Sequence, residues 1–361
     1  MLPVKVDLSL AGPATRAPEI LHRSQQIVRP ALEKAVADLH PKLAEMAAYS
    51  FGWCEVGGSP AMGSAGKGVR QAMALLCAEA AGAPQSAGIA SAVTVELVHA
   101  FSLIHDDIMD GDHMRRGRPT VWKAYGTGFA VLAGDALIAL ATQTLADALD
   151  IEVRGSQAIR LLARTLADLS RGQADDLLFE TRAWSAPDAI RGDDYRTMAE
   201  NKTGSLLGCA AALGPALAGA PPEHVEALDC AGRHLGVAFQ IVDDILGLWG
   251  DPTTTGKSAS ADLRSGKKTY PLVVALDASN PAGSASKKLA QLLAAAPDAI
   301  DDGTVRKVGA LVERAGGRTL ALEEAQRQIE AFYSCAGQAI SVTGPVEDLR
   351  SLLSFLLHRT A

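Results

Sequence analysis

Apolar residues recur at helical spacing along most of the chain, and this periodicity restricts its fold more than any other feature. In one segment, Val305, Val308 and Val312 stand at i, i+3 and i+7. Thr304 is suited to cap the start of this helix and Gly316 to end it. Ala and Leu dominate the apolar residues, whereas aromatic residues make up only 4%, which favours packed helices over a β-sandwich. The sequence therefore predicts an all-α fold in which the 361 residues form one large helical domain around one core.

The predicted organisation is a flexible amino-terminal arm followed by one helical domain. The arm covers residues 1–19 and the domain residues 20–361, with Pro30 near a helix boundary or kink. The longest predicted loops lie near 181–195 and 250–268, and the second, which is basic and contains glycine, suits a lid over an anionic ligand. The predicted helices cover residues 20–49, 67–81, 85–109, 128–149, 153–180, 196–217, 223–249, 304–315, 318–340 and 346–358.

The charge balance and the apolar segments argue against two classes of partner. A net charge of −7 disfavours nucleic acid and adsorption to an acidic membrane, since both need a basic surface. The most apolar stretch, Phe129–Ala146, is interrupted by Asp135 and Gln143, so we interpret it as a buried helix rather than a membrane span. The amino terminus lacks the continuous apolar core of a signal peptide. We therefore expect a soluble, cytoplasmic protein without stable membrane insertion.

The five cysteines are scattered and odd in number, and no two of them form a C-x-x-C pair. This pattern predicts buried thiols in a reducing compartment, and neither a disulfide framework nor a zinc site. The cysteines are Cys54, Cys77, Cys209, Cys230 and Cys335.

The first candidate site is an acidic cluster at the end of the predicted helix 85–109. Asp106 and Asp110 stand four apart and Asp107 stands three before Asp110, so a helix places the three carboxylates at neighbouring positions on one face. Their mutual repulsion favours a bound cation, and oxygen ligands without His or Cys favour Mg²⁺. The alternative is a solvated acidic helix end, which the apolar residues before the cluster oppose.

A second acidic pair, Asp243 and Asp244, ends another long apolar segment. Gln240 stands three before Asp243 and four before Asp244, so an amide and two carboxylates share a helical face. Taken alone, a surface aspartate pair is common. Two acidic clusters at the ends of buried helices predict instead a metal-binding cavity in a helical bundle, with the clusters facing each other across it.

Basic residues in the loops beside both clusters predict an anionic substrate. Arginine binds phosphate oxygens in a two-point fashion, whereas lysine acts as a mobile point charge. Taken singly, each residue is better explained as surface charge, and their positions beside the acidic clusters are what favour binding. These residues are Lys67 and Arg70 after a glycine-rich loop, Arg115 and Arg116 after the first cluster, and Lys257, Arg264, Lys267 and Lys268 in the predicted lid.

From about residue 20 to residue 358 the chain resembles the trans-prenyl diphosphate synthase (polyprenyl synthetase) family. The order and spacing of the motifs make this resemblance specific. The first aspartate-rich motif with its R-R-G-x-P-T matches Asp106–Thr120, the second matches Gln240–Asp244, G-Q-x-x-D matches Gly172–Asp176, K-T matches Lys202 and Thr203, G-K-x-x-R matches Gly66–Arg70, E-x-x-H matches Glu96–His99, and the lid lysines match Lys257 and Lys267.

The resemblance implies an isoprenoid synthase-type helical bundle with a central active-site cavity, a homodimer and a cluster of three Mg²⁺. It also implies that isopentenyl diphosphate condenses with an allylic diphosphate by ionisation, condensation and elimination. The implied metal ligands are Asp106, Asp110 and Asp243, with Asp107 and Asp244 beside them. The implied substrate residues are Arg115, Lys202 and Lys257 on the allylic diphosphate, with Lys267 in the lid, Asp176 and Gln240 lining the pocket, Lys67, Arg70, His99 and Arg116 on isopentenyl diphosphate, and Thr203 with the Lys202 carbonyl facing the carbocation.

Two positions depart from the family pattern. Gly68 stands where the family often has Arg, and Gly247 stands at the fifth position of the second motif, where an acid is expected. The first departure predicts weaker binding of isopentenyl diphosphate. For the second, Asp251 follows closely enough in the sequence to compensate.

The residues before the first motif predict the length of the product. The alkyl chain is expected to grow along this helix, so residues one turn before Asp106 would form the floor of its pocket. Phe101 and Ser102 stand five and four positions before Asp106, where the aromatic ring blocks very long chains and the serine leaves space beside it. This combination resembles the synthases that make twenty-carbon geranylgeranyl diphosphate, with fifteen-carbon farnesyl diphosphate as the alternative.

Three rival interpretations are weaker. A terpene cyclase of the same fold needs one diphosphate site and an aromatic-lined pocket, whereas this chain has few aromatic residues and two sets of basic groups. A non-catalytic regulatory subunit would be indicated by the loss of an acidic pair, and both pairs are present. A helical scaffold protein does not explain why charged residues stand at helix ends in the family's order.

Overall fold

The protein is a bundle of helices in the computed structural model, which describes residues 16–61, 66–149, 155–184, 188–250, 263, 266–277, 283–295, 301–337, 339 and 343–357. A short antiparallel ribbon follows the fourth helix. The helices are α1 (Ala17–Ala37), α2 (Pro41–Ser50), α3 (Val69–Ala80), α4 (Gln85–Met109), α5 (Val121–Tyr125), α6 (Thr127–Asp147), α7 (Gly155–Thr181), α8 (Gly192–Ala199), α9 (Ser205–Leu217), α10 (Pro222–Trp249), α11 (Tyr270–Leu276), α12 (Gly283–Ala295), α13 (Asp302–Arg314), α14 (Gly317–Ala336) and α15 (Thr343–Leu357), and the strands are β1 (Met114–Arg115) and β2 (Arg118–Pro119).

The first helix packs by an apolar face in spite of an internal proline. α1 begins at the buried Ala17, before the expected start of the helical domain. Pro30 lies inside α1 rather than at a boundary. Val28 and Leu32 beside it are buried in the core, and this packing offsets the hydrogen bond that proline cannot donate. Because α1 and α2 are separate, the predicted helix 20–49 is two helices.

The carboxyl-terminal half differs from the prediction in the residue that caps α13 and in two additional helices. α13 is capped by Asp301, whose carboxylate accepts a hydrogen bond from the Thr304 N–H at 2.6 Å, so Thr304 lies inside the helix. Gly316, at φ 77°, follows this helix as predicted. α11 and α12 were not predicted. α11 is an apolar run of 7 residues, which is too short to show a helical period.

Helix α9 brings together the helices that carry the two acidic motifs. It is buried along almost its whole length and is rich in Ala and Leu. α4, which ends at the first motif, packs against α3, α6 and α9, and α10, which carries the second motif, packs against α9 and α14. The packing of both helices on α9 therefore positions the candidate site.

Among the described residues, two helices, α4 and α6, each contain an 18-residue stretch apolar enough for a membrane span, with mean hydropathies of 1.7 and 1.6. Of the residues in these stretches, 61% are buried in α4 and 39% in α6. The prediction that Phe129–Ala146 is a buried helix is therefore wrong for one face of α6, where Phe129 is 49% and Leu132 53% exposed. Since α6 is apolar on all sides, its sequence does not distinguish the face that packs on α4 from the exposed face.

The cysteines divide into three buried thiols and one pair. Cys54, Cys77 and Cys209 are buried and free, as predicted. Cys230 on α10 and Cys335 on α14 form a disulfide with a Cα–Cα distance of 6.2 Å. The prediction that the chain has no disulfide is therefore wrong for this pair. The two residues are 105 positions apart in the sequence, and only the packing of α10 against α14 brings them together.

Candidate active site

The first acidic cluster occupies the last turn of α4, as the sequence predicts. The β1–β2 ribbon after this helix returns Arg115 to the cluster. Arg115 donates to the buried Asp107 carboxylate from Nε at 2.8 Å and pairs with it through Nη2 at 2.7 Å. Because Arg115 already neutralises Asp107, Asp106 and Asp110 are the two carboxylates of the cluster that are better placed to bind a cation.

The electrostatics of these carboxylates indicate a site built for positive charge. Burial raises the pKa of Asp106 to about 6, with Lys202 opposing the rise and Asp110 adding to it. Burial also raises the pKa of Asp110, against the opposing charges of Lys202 and Lys267. Carboxylates that resist ionisation in this way are stabilised when a cation lies among them.

Two lysines and a fourth acid, Asp176 on α7, face the first cluster. Lys202 Nζ donates to Asp176 Oδ2 at 2.6 Å, and Lys267 Nζ lies 3.8 Å from the same oxygen. Burial raises the pKa of Asp176, but Lys267 and Lys202 more than offset this and hold it below its usual value. The charges of the same lysines also oppose the rise that burial causes in the pKa of Asp106 and Asp110. The acids and lysines therefore form one mixed cluster, which suits a metal-bound diphosphate.

Lys202 and Thr203 lie in a π-helical turn, Glu200–Gly204, between α8 and α9. The predicted helix 196–217 is therefore interrupted at the K-T motif. Such turns widen a helix locally and are frequent at functional sites. Gly172 on α7 allows the close contact with this turn, because a Cβ there would lie 2.2 Å from Lys202 N. The G-Q-x-x-D and K-T motifs thus meet where α7 packs on the π-helical turn.

Side-chain hydrogen bonds join the second acidic motif to the same turn. The Thr203 hydroxyl donates to Gln240 Oε1 at 3.0 Å, and Gln240 Nε2 donates to Asp244 Oδ1 at 3.3 Å. Asp244 is buried, whereas Asp243 is half-buried. Asp243 is therefore the acid of this pair that is better placed for a cation, and Asp244 orients the motif.

Sequence reasoning missed the two tyrosines that hold Asp244. The Tyr195 hydroxyl donates to Asp244 Oδ2, and the Tyr270 backbone N–H donates to the same oxygen at 2.8 Å. The two tyrosine rings pack edge to face with centroids 5.3 Å apart. No spacing rule relates these residues, because they come together only where α8, α10 and α11 pack. α10 continues past the motif to Trp249, and Gly247 lies in that continuation.

The residues predicted to bind isopentenyl diphosphate form a second basic set on α3, α4 and the ribbon. Arg70 Nη1 donates to His99 Nε2 at 3.2 Å. Burial, followed by Arg70 and Arg116, holds the pKa of His99 well below its usual value, so the ring is neutral and accepts this hydrogen bond. Arg116, at φ 52°, directs its guanidinium to Gly66, where a Cβ would lie 2.8 Å from Nη1.

The segment before α3 explains one departure from the family pattern. Lys67 Nζ lies 5.7 Å from the centre of the Phe355 ring on α15. Gly68 has a φ of 67°, a left-handed conformation that favours glycine. A Cβ at Gly68 would also lie 2.1 Å from Gln71 Nε2. The local backbone therefore gives a structural reason for glycine at this position.

Part of the predicted lid, including Lys257, Arg264 and Asp251, lies outside the described residues. Lys268 packs over Trp184 with its Nζ 3.6 Å from the ring centre, and burial lowers its pKa to about 8. Lys268 is thus held against the protein, whereas Lys267 faces the acids.

The residues predicted to limit product length lie one turn before the first motif. The Phe101 ring packs edge to face on His105 with centroids 4.9 Å apart, and the Ser102 hydroxyl donates to the His99 carbonyl at 2.9 Å. His105 Nε2 donates to the Val131 carbonyl of α6 at 3.1 Å. Phe101 therefore contacts α6 through His105, whose ring nitrogen is hydrogen-bonded to that helix.

Comparison with known proteins decides the family. The sequence model of the polyprenyl synthetase family matches residues 58–308. The chain belongs to the polyprenyl synthetase family. This synthetase is 38% identical over 344 residues to a (2E,6E)-farnesyl diphosphate synthase of Mycobacterium bovis, covering 95% of this chain and 93% of the relative. It is 40% identical over 328 residues to a geranylgeranyl diphosphate synthase of Mycobacterium tuberculosis, covering 91% of each chain.

The synthetase also superposes on a solved structure. A polyprenyl synthetase from Streptomyces coelicolor A3(2) aligns with a TM-score of 0.85 at 42% identity, covering 94% of this chain and 98% of that one. The predicted family, all-α isoprenoid synthase fold and enzyme class are confirmed: the synthetase is a short-chain trans-prenyl diphosphate synthase, a prenyltransferase. Its relatives include both farnesyl and geranylgeranyl diphosphate synthases, so they do not decide the product length.

Proposed function

We propose that the synthetase condenses isopentenyl diphosphate with allylic diphosphates in a Mg²⁺-dependent reaction. The observation that carries this proposal is the meeting of both acidic motifs at one cationic turn. Burial raises the pKa of both Asp106 and Asp110 in the first motif, and the charge of Lys202 opposes this rise. The neighbouring Thr203 is hydrogen-bonded to Gln240 of the second motif. An allylic diphosphate at this turn would be approached by both motifs.

The second basic set supports two diphosphate substrates rather than one. Arg70 donates a hydrogen bond to the neutral ring of His99, and burial together with Arg70 and Arg116 lowers the pKa of that ring. The imidazole is neutral, and the two guanidiniums, which also oppose the rise that burial causes in the pKa of Glu96, are the groups of this set that would bind phosphate oxygens. A terpene cyclase would have no need for this set, so its presence favours the synthase.

The acidic residues fit Mg²⁺. Asp106, Asp110 and Asp243 would hold it, because hard oxygen ligands suit this ion. The pKa of Asp106, raised to about 6 mainly by burial and further by Asp110, belongs to a carboxylate whose charge a bound cation would stabilise. When bound, Mg²⁺ would neutralise charge on the diphosphate and favour its departure from the allylic carbon. We propose three ions, the number that the resemblance implies.

The chain's own residues would bind the leaving group and protect the cation. Lys202 and Arg115 would hold the diphosphate oxygens and stabilise their charge as the C–O bond breaks. The Thr203 hydroxyl and the Lys202 carbonyl would face the allylic cation. The apolar walls of α4 and α9 would exclude water, which would otherwise capture the cation. The double bond of isopentenyl diphosphate then attacks the cation, and the departed diphosphate accepts the proton that is lost.

Removal of the metal is expected to abolish elongation. Purified protein would be incubated with isopentenyl diphosphate and, separately, with dimethylallyl, geranyl and farnesyl diphosphates, in Mg²⁺ or in excess chelator. The products would be dephosphorylated and sized by mass spectrometry. We expect linear prenyl alcohols in Mg²⁺, none in chelator, and recovery when Mg²⁺ is restored. A cyclic hydrocarbon from one diphosphate would support a cyclase, and no product from folded protein would support a regulatory subunit.

We propose a twenty-carbon product, with Phe101 as part of the floor. Phe101→Ala is expected to lengthen the products, because the ring that packs on His105 would no longer block the growing chain. The same mass-spectrometric assay measures this change. Phe51→Ala, which removes a ring stacked on Trp53, is the matched control and should leave the products unchanged. A fifteen-carbon product from the unaltered protein would contradict this chain length and leave the enzyme class intact.

We propose a homodimer formed through the exposed face of α6. Phe129 and Leu132 are exposed on this face, and contiguous apolar surface marks an interaction site. Leu132→Glu is expected to shift the protein from dimer to monomer, measured by size-exclusion chromatography with light scattering. Leu320→Glu, at an exposed apolar position of α14, is the control and should remain dimeric. An unaltered protein that is monomeric at micromolar concentration would contradict the proposal.

We further propose that the protein is soluble, cytoplasmic and not bound to nucleic acid. Its net charge of −7 disfavours acidic membranes and nucleic acid alike. The apolar helix α4 packs against α3, α6 and α9, which accounts for its hydropathy without a membrane.

A further inference from the structure

Two cysteines and a histidine meet between α10 and α14, away from the diphosphate site. Cys230 and His234 stand four apart on α10 and therefore share a helical face, and Cys335 lies in the last turn of α14. Their ligand atoms, two sulfurs and one ring nitrogen, all lie within 4.8 Å of one another. Cys230 stands 13 residues before Asp243, about 20 Å along the helix at 1.5 Å per residue.

A second contact orients the histidine ring. His234 Nδ1 lies 2.6 Å from Gln328 Oε1. Since an amide oxygen only accepts hydrogen bonds, Nδ1 carries the proton and Nε2 keeps its lone pair. Gln328 is itself fixed, because its Nε2 donates to Glu324 Oε1 at 2.8 Å. Metal-binding histidines are oriented by the same kind of contact, in which the other ring nitrogen donates to an oxygen.

The positive charges in the described surroundings of this cluster are paired with acids. A solvent-open cavity of about 250 Å³ adjoins it. The two arginines in the cavity wall are paired with Asp229 Oδ2, Arg164 at 2.9 Å and Arg233 at 3.0 Å. Glu200 and Glu226 also line the cavity, so the wall has more acids than arginines. The cavity leaves room for water as a further ligand.

We propose that Cys230, His234 and Cys335 form a redox-gated site for a soft divalent cation, of which Zn²⁺ fits best. In the disulfide form the sulfurs are joined and offer no thiolate. Two molecules of a small thiol reductant would pass two electrons and two protons to the S–S bond, giving two cysteine thiols and one small-molecule disulfide. The cation then displaces the two thiol protons, which pass to solvent.

The donor set separates this cation from Mg²⁺. Two thiolates and one imidazole match the ligands of Zn²⁺, which binds sulfur at about 2.3 Å and nitrogen at about 2.0 Å with a tetrahedral arrangement. The thiolates disfavour Mg²⁺, which prefers oxygen. A tetrahedral ion held by three side chains has a fourth position, which water could fill from the cavity that Cys230 and His234 line. The two metals would therefore occupy different sites, one holding the substrate and one joining α10 to α14.

Cobalt binding to the full chain tests this site. Protein would be reduced with excess small thiol, desalted without oxygen and titrated with Co²⁺, whose bonds to thiolate give a near-ultraviolet charge-transfer band. We expect the band to saturate at one thiolate-bound Co²⁺ per chain, to disappear on addition of Zn²⁺, and to be absent in the oxidised protein. Cys335→Ser and His234→Ala are each expected to weaken binding by roughly tenfold or more. Cys54→Ser, which alters a free cysteine, should bind as the unaltered protein does.

A second measurement on the unaltered protein avoids dependence on variants that fail to fold. Reduced protein would be alkylated with and without Zn²⁺, and the modified cysteines identified by mass spectrometry. We expect Zn²⁺ to protect Cys230 and Cys335. Absence of a charge-transfer band in reduced, folded protein, or an unchanged band in Cys335→Ser, would overturn the proposal. Equal alkylation of Cys230 and Cys335 with and without Zn²⁺ would also overturn it.

Discussion

The Asp106→Asn variant of the synthetase is expected to lose about a thousandfold in kcat, which is about 4 kcal/mol of transition-state stabilisation. The amide keeps the size of the side chain but removes the negative charge that would hold Mg²⁺. Because burial raises the pKa of Asp106 to about 6, the folded protein already disfavours this charge. The variant should therefore unfold at the same temperature as the unaltered protein or slightly higher. Steady-state kinetics in Mg²⁺ and thermal denaturation would measure the two effects.

Two further variants test whether the fall in kcat is specific to the Asp106 carboxylate. Asp38→Asn changes an exposed acid at the end of α1 and should keep full activity. Asp107→Asn removes the charge that pairs with Arg115 at 2.7 Å and should lower activity by releasing Arg115. Because burial raises the pKa of Asp107 in spite of Arg115, the stability of this variant should change little. A folded Asp106→Asn protein that loses only tenfold or less in kcat would contradict the assignment of Asp106 as a metal ligand.

Local spacing was sufficient to predict the first acidic cluster. Asp106, Asp107 and Asp110 lie within one turn of a helix, so their neighbourhood follows from the geometry of α4 alone. The same holds for the Gln240–Asp244 hydrogen bond at 3.3 Å, which joins residues four apart in the sequence. Spacing did not predict which carboxylate of each cluster is better placed to bind a metal. That depends on which carboxylate is hydrogen-bonded or ion-paired to a side chain distant in the sequence.

Contacts between distant helices were beyond sequence reasoning. Tyr195 reaches Asp244 across 49 residues, and the two cysteines of the α10–α14 pair are separated by 105. Neither pair lies on one helix, so no period in the sequence relates its members. The π-helical turn at Lys202 was hidden for a related reason: its residues read as continuous helix, and only packing against α7 and α10 shows the interruption. The resemblance to the family supplied the importance of Lys202 and Thr203, but not their geometry.

Gly236→Ala is expected to destabilise the protein by about 3 kcal/mol and to lower kcat in the molecules that remain folded. A Cβ at Gly236 would lie 2.3 Å from Gly204 Cα and 2.6 Å from Gly204 N. Both are backbone atoms, so α10 and the π-helical turn must separate to admit the methyl group. That separation would lengthen the 3.0 Å hydrogen bond from Thr203 to Gln240. Urea denaturation would measure the first effect and steady-state kinetics the second.

Gly309→Ala is the matched control, because a Cβ at Gly309 inside α13 would lie 3.9 Å from Trp249 Nε1, an ordinary van der Waals contact. The same substitution there should change stability by less than about 1 kcal/mol, and in the stabilising direction, since alanine restricts the unfolded chain more than glycine does. The contrast separates steric contact at the active-site turn from the general effect of replacing glycine in a helix. If Gly236→Ala unfolded at the same urea concentration as Gly309→Ala, the close contact between α10 and the turn would not limit this fold. That result would also contradict our expectation that the packing of α10 on the turn positions Thr203.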